Sequence, residues 1–214
     1  MSMKRKHACP LKGLALLAAF LVLPGSSLTA QFNTVINVPP DKAPFSIGSD
    51  TQLNIFDSGI VLDLIAGNPD GSSENIEINL FSGRIGDGFS DIQTSGRDLE
   101  ANGGCTVNIE GGLVLGGFDC NGGSIVNLSG GAIRDSIDIE DNAVFNMSGG
   151  FAGESGISFN SCCVLDGGTF NMRGGSVAQN FVAWSGGAVN LFGGEFRVNG
   201  QPASGLTEVE DRDC

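Results

Sequence analysis

Apolar and polar positions alternate along this chain around a recurring asparagine. The phrase reads Val107-Asn108-Ile109-Glu110-Gly111-Gly112, Val126-Asn127-Leu128-Ser129-Gly130-Gly131, Phe145-Asn146-Met147-Ser148-Gly149-Gly150, Phe170-Asn171-Met172-Arg173-Gly174-Gly175 and Val189-Asn190-Leu191-Phe192-Gly193-Gly194. Three of the four intervals between these asparagines are 19 residues and one is 25. Weaker copies lie upstream at Leu53-Asn54-Ile55 and Ile78-Asn79-Leu80. Apolar residues on both sides of a polar centre are the period of a β-strand, so the pattern predicts short strands with the flanking pair inward and Asn outward.

Two further strands belong to the same repeat. Leu99, Phe118, Ile137 and Phe181 stand nine residues before the Asn, with Ala101, Cys120, Ile139 and Ala183 seven before it. Val114, Ile133, Val177 and Phe196 stand six after it. A fixed period of this length implies a stacked array in which each unit completes the core of its neighbour. The expectation is an all-β, single-stranded parallel β-helix, or β-solenoid, of about seven rungs with a 19-residue regular coil. Glycine is abundant at 34 residues, as corners with positive φ or close backbone approach would require. No capped amphipathic helical segment is evident after the first 30 residues.

The pattern divides the chain into four parts. Residues 1–30 read as a signal peptide: Lys4, Arg5, Lys6 and Lys12 precede or border an apolar run from Leu14 to Leu23, then small residues to Ala30. Residues 31–52 read as an N-terminal cap strand and loop, broken by Pro39, Pro40 and Pro44. Residues 53–200 are the solenoid and 201–214 a C-terminal tail. The surplus of the longer rungs falls in polar stretches such as 68–73 and 93–97, where solenoids carry loops.

Removing the leader sharpens the charge. The four basic residues and His7 leave with it, so the formal net charge passes from −13 to −17. An acidic chain lacks the basic footprint that nucleic acid demands. Loss of the single histidine excludes a Ser-His-Asp triad or His-ligated zinc. The expected location is secreted or cell-surface, with no transmembrane segment in the exported chain.

The phrases VNLSGGAI, FNMSGGFAG, FNMRGGSVA and VNLFGGEF, together with TVINVPPDKAPFSIGSDTQLNI, resemble the exported Asn/Gly-rich parallel β-helix repeat proteins of environmental bacteria, and more broadly the pectate-lyase-like β-solenoids. The resemblance covers most of residues 32 to 213 and implies the fold. That fold hosts lyases, hydrolases and adhesins alike, so it does not choose among them.

Three columns carry the candidate chemistry. Glu100, Asp119 and Asp138 fall eight residues before the Asn on consecutive rungs, pointing outward, with Asn102, Asn121 and Glu140 two positions on. Carboxylates and amide carbonyls are hard ligands, so this column is a candidate Ca²⁺ site; the plain alternative is a solvated acidic face. In a lyase, Ca²⁺ would acidify a uronate proton and Arg97 or Arg134 would remove it; the plain alternative is surface arginines. The Asn column predicts either a structural amide ladder or a ligand-binding face, with Asn108, Asn127 and Asn146 at its centre. Trp184 and Phe192, both outward, suit sugar stacking or the covering of an end. Five cysteines follow the leader, with Cys120 inward and Cys105 in a corner. The function expected is an exported, non-catalytic surface or matrix solenoid, glycan-binding or adhesive, with polysaccharide, other surface proteins or end-to-end copies as partners. The alternative is a Ca-dependent lyase or hydrolase acting on acidic polysaccharide.

Overall fold

The computed structural model describes residues 31–86, 97–153, 163–178, 181–183, 186–193, 197–198 and 201–202. The expected leader therefore lies outside the described residues, as do Trp184, Phe196 and most of the tail. Among the described residues there is no helix, and so none long and apolar enough to cross a membrane.

The chain is a parallel β-solenoid with three faces. An eight-stranded sheet holds the Asn phrases, from Thr34–Val38 through Cys105–Ile109, Ile125–Leu128 and Val144–Met147 to Ala188–Leu191. A seven-stranded sheet runs from Ser46–Ile47 through Arg97–Ala101, Gly117–Cys120 and Ile137–Glu140 to Phe181–Ala183. A six-stranded sheet of two-residue strands, from Ile60–Val61 to Ser176–Val177, closes the third side. These will be called the amide, acid and short faces. Each strand pairs with its equivalents one rung away, so Asn127 lies opposite both Asn108 and Asn146.

The interior is built from the residues that the alternation placed there. Val107, Ile109, Val126, Leu128 and Phe145 from the amide face, Leu99, Phe118, Ile137 and Ile139 from the acid face, and Val114 and Ile133 from the short face are fully buried. Phe145 stacks on Phe170 with ring centroids 5.2 Å apart and meets Phe118 edge-on at 6.4 Å. Burial of such side chains stabilises by roughly 1.5–3 kcal/mol each, which makes this column the main support of the regular rungs.

In the Gly-Gly pairs 111–112, 130–131, 149–150 and 174–175 the two glycines do different work. A Cβ on the first, Gly130, would fall against the Glu110 carbonyl oxygen of the rung below. The second, Gly131, has φ +70°, which an L side chain rarely adopts. The corner that enters the amide face has the same demand, met differently. Four residues before the Asn, φ is positive at Asp50, Asn75, Gly104, Gly123, Asn142, Gly167 and Gly186. Asn and Asp are the side chains that tolerate this region best.

Thr34–Val38, read above as a closing strand, is the first strand of the amide face and pairs in register with Thr51–Ile55. It carries Ile36-Asn37-Val38, an eighth copy of the apolar-Asn-apolar triplet, 17 residues before Asn54.

Candidate functional site

The amide face is organised by one chain of hydrogen bonds. Asn54 Nδ2 donates to Asn37 Oδ1 at 3.0 Å, Asn79 to Asn54 at 3.0 Å, and Asn108 to Asn79 at 2.9 Å. Asn127 then donates to Asn108 at 2.9 Å, Asn146 to Asn127 at 3.0 Å, Asn171 to Asn146 at 2.9 Å and Asn190 to Asn171 at 2.9 Å. Every donor points toward the N-terminal end and every acceptor toward the C-terminal end. Asn can do this because one side chain carries two N–H donors and a carbonyl acceptor, so it serves the rung on each side.

Near the N-terminal end the ladder takes on flanking partners. Asn79 Nδ2 also donates to Glu77 Oε1 at 2.7 Å, which accepts from Gln52 Nε2 at 2.7 Å as well. Asn54 Nδ2 reaches Gln52 Oε1 at 3.3 Å. At the adjoining corner Asp50 accepts from Asn33 Nδ2 at 3.1 Å and from Asn75 Nδ2 at 2.9 Å, a carboxylate held between two amides. In the middle of the face Asn108, Asn127 and Asn146 are half-buried and are flanked by Ser129 and Ser148. Each of these amides spends one N–H and one lone pair on the ladder, which leaves it a second N–H and a second lone pair.

The acid face stacks its carboxylates in adjacent register, Asp119 opposite both Glu100 and Asp138. Glu100 and Asp138 are half-buried, but Asp119 is only 5% exposed, where an outward position on an open face was expected to be solvated. It sits in a strand, Gly117–Cys120, all four of whose residues are buried. Asn102 also departs from the outward reading. It is 2% exposed at the corner leaving the acid face, and its Nδ2 donates to the Gly67 carbonyl at 3.2 Å and to Glu100 Oε1 at 3.0 Å. Among the described residues no three His, Cys, Asp or Glu side chains converge in the manner of a metal site.

Arg134 is exposed beyond the end of a short-face strand, before Ile137–Glu140 begins. Arg97 opens the strand Arg97–Ala101, and its side chain, like Trp184, lies outside the described residues. Phe192 is exposed, with the Arg173 guanidinium 4.0 Å over its ring. Two aromatics that the pattern did not single out, Phe56 and Phe81, occupy the same outward position two residues after the Asn and stack 5.3 Å apart. The loop 68–73 is tied by its own side chains: Asn68 Nδ2 donates to Ser72 Oγ at 3.0 Å, and hydrogen bonds from Ser72 hold the Asp70 carboxyl below the usual range.

Both thiols within the described core are free and buried. Burial pushes Cys105 up to about 12. Burial also pushes Cys120 well above the usual thiol range, reinforced by the charges of Asp119, Cys105 and Asp138. Cys105, placed in a corner from the spacing, opens the amide-face strand Cys105–Ile109 with its side chain in the core. Neither is a nucleophile near neutral pH, since the thiolate is the reactive form.

No family model, curated protein or solved structure matches the chain.

Proposed function

We propose that this chain is an exported, non-catalytic surface or matrix protein of the Asn/Gly-rich β-helical kind, whose amide face binds polysaccharide. The observation that carries the reading is the unbroken ladder from Asn37 to Asn190. Its most regular side chains are committed to holding rungs together, and they leave behind a flat, repeating array of N–H and C=O valences. Sugar hydroxyls are donors and acceptors at once and complement such an array; Asn108, Asn127 and Asn146, with Ser129 and Ser148 beside them, form its central stretch. An acid-face surplus of charge keeps such a surface soluble and favours cationic or cation-bridged partners.

A second reading, a Ca²⁺-dependent enzyme on acidic polysaccharide, draws on the register of Glu100, Asp119 and Asp138. Hard carboxylate oxygens at adjacent rungs suit Ca²⁺, although one oxygen of Glu100 already accepts from Asn102. The test is to incubate the protein with a panel of neutral and uronate polymers, with and without Ca²⁺, scoring retention on each polymer and absorbance of an unsaturated product. Retention that falls on Asn127→Ala, without rising absorbance, is expected. Absorbance that climbs and is lost on Arg134→Ala or Arg97→Ala would replace the first reading with the second.

A further inference from the structure

Charge is spread unevenly over the faces. The chain has a formal net charge of −13, and the acid face stacks Glu100, Asp119 and Asp138. From Thr106 onward, two outward columns of the amide face carry no charge at all. One is the ladder from Asn108 to Asn190, and the other, two residues before it, holds Thr106, Ile125, Val144, Thr169 and Ala188 in register. Ile125 and Ala188 are exposed, and Thr106, Val144 and Thr169 are half-buried. The column two residues after the Asn has charge only at Glu110 and Arg173, and Arg173 is laid over the Phe192 ring.

The same stretch is level and stiff. All of the Thr106 column but Ala188 is β-branched, with little freedom at χ1. Asn108, Asn127, Asn146 and Asn171 are each held by the rung on either side, and ladders of this kind keep a many-stranded sheet close to flat. Where the chain enters the face stand Gly104, Gly123, Asn142, Gly167 and Gly186, so no long side chain rises along that border.

These properties select a ligand. A uronate chain would find no cation in the two uncharged columns to receive its carboxylates and would approach an acidic protein, which favours a neutral polymer. A pyranose presents C–H groups on its flat side and hydroxyls at its rim, the complement of an apolar stripe beside a column of amides. A level face touches from one side only. It does not enclose a small sugar as a concave site does, and a flexible chain laid on it loses freedom that an ordered chain has already lost.

We propose that the amide face holds neutral polysaccharide in its ordered, sheet-like form, with the column from Thr106 to Ala188 against sugar C–H groups and Asn108, Asn127 and Asn146 on hydroxyls. This rests on the polysaccharide reading above and names its ligand class.

The test is a binding isotherm of the full chain on microcrystalline cellulose and on powdered chitin, beside soluble oligomers of the same sugars and soluble polygalacturonate. Retention on one or both solids is expected, with little loss in about 1 M salt and no displacement by the soluble oligomers. Ile125 and Ile60 are exposed isoleucines at outward strand positions of the amide and short faces, 42% and 43% exposed. Ile125→Arg, which stands a long charged side chain on the level face, should weaken retention by about tenfold or more. Ile125→Thr, matching Thr106 and Thr169 in the same column, and Ile60→Arg should leave it unchanged. Soluble oligomers that bind as well as the solids, retention confined to polygalacturonate, or equal losses in Ile125→Arg and Ile60→Arg would overturn the proposal. The first two of these outcomes leave the polysaccharide reading standing, whereas a chain retained on no polymer at all sinks both.

Discussion

The amide face and the acid face stack like residues at like spacing, yet they solve different problems. On the amide face each side chain offers a donor to one neighbour and an acceptor to the other, so stacking satisfies the column from within. On the acid face Glu100, Asp119 and Asp138 offer acceptors only, so stacking sets like charges about 4.8 Å apart and satisfaction has to come from the side, as Asn102 supplies it to Glu100. Asp50 shows the intermediate case, a carboxylate made comfortable by Asn33 and Asn75 above and below. The lesson is that a solenoid amplifies whatever its repeat carries: self-complementary groups become a spine, and one-sided groups become a point of stress or a place for a counter-ion.

The comparison can be broken most forcefully through the support both faces share. Phe145→Ala removes the ring packed between Phe118 and Phe170 and should cost about 3–5 kcal/mol in denaturant unfolding. Next comes the spine itself. Asn127→Ala deletes two ladder bonds and leaves Asn108 and Asn146 without their shared partner, an expected loss of about 2 kcal/mol. Asn190→Ala deletes one bond at an exposed end and should cost less than about 1 kcal/mol. Equal costs at the two positions would mean that the ladder contributes nothing as a continuous column.

Charge relief on the acid face runs the other way. Asp119→Asn removes the middle charge of three and should raise stability by about 1 kcal/mol at low ionic strength, a gain that fades in 1 M salt. A loss instead would show that the buried carboxylate is held by its surroundings more strongly than its neighbours repel it. Smallest is the effect across the sheet on the thiols. Their folded pKa values are raised, so the stability linked to them is complete below the unfolded value of about 9 and is lost as pH rises above it, toward about 12 for Cys105 and over a range well above the usual thiol value for Cys120. With no tyrosine in the chain, the melting temperature should fall over that window, and the double variant Cys105→Ala, Cys120→Ala should flatten the fall. Asp119→Asn should displace the Cys120 share of it to lower pH, while Asn127→Ala should leave the window where it is.

Much of this was readable from the sequence because stacking turns a repeat into columns. The inward pairs at Leu99 and Ala101, Phe118 and Cys120, and Val126 and Leu128 were legible from period two alone, and so was the adjacency of Asn108, Asn127 and Asn146. Asn37 escaped because its interval of 17 falls short of the regular 19, though its triplet Ile36-Asn37-Val38 carried the signal. The corner residues Asp50, Asn75 and Asn142 looked like ordinary polar surface. Only their shared place with Gly104 and Gly123 marks a common positive φ. Burial of Asp119 and Asn102 was hidden for a different reason: alternation tells which face a side chain takes, but not what neighbouring side chains and corners lay over that face.

The most direct test of the central claim is hydrogen exchange at the side-chain amides of the protein labelled with ¹⁵N on asparagine. One Nδ2 proton of each of Asn54, Asn79, Asn108, Asn127, Asn146 and Asn171 should be protected, most strongly in the middle of the series, against the free exchange of exposed Asn142. Exchange at Asn108, Asn127 and Asn146 as fast as at Asn142 would contradict the ladder and, with it, the stacking on which every column described above depends.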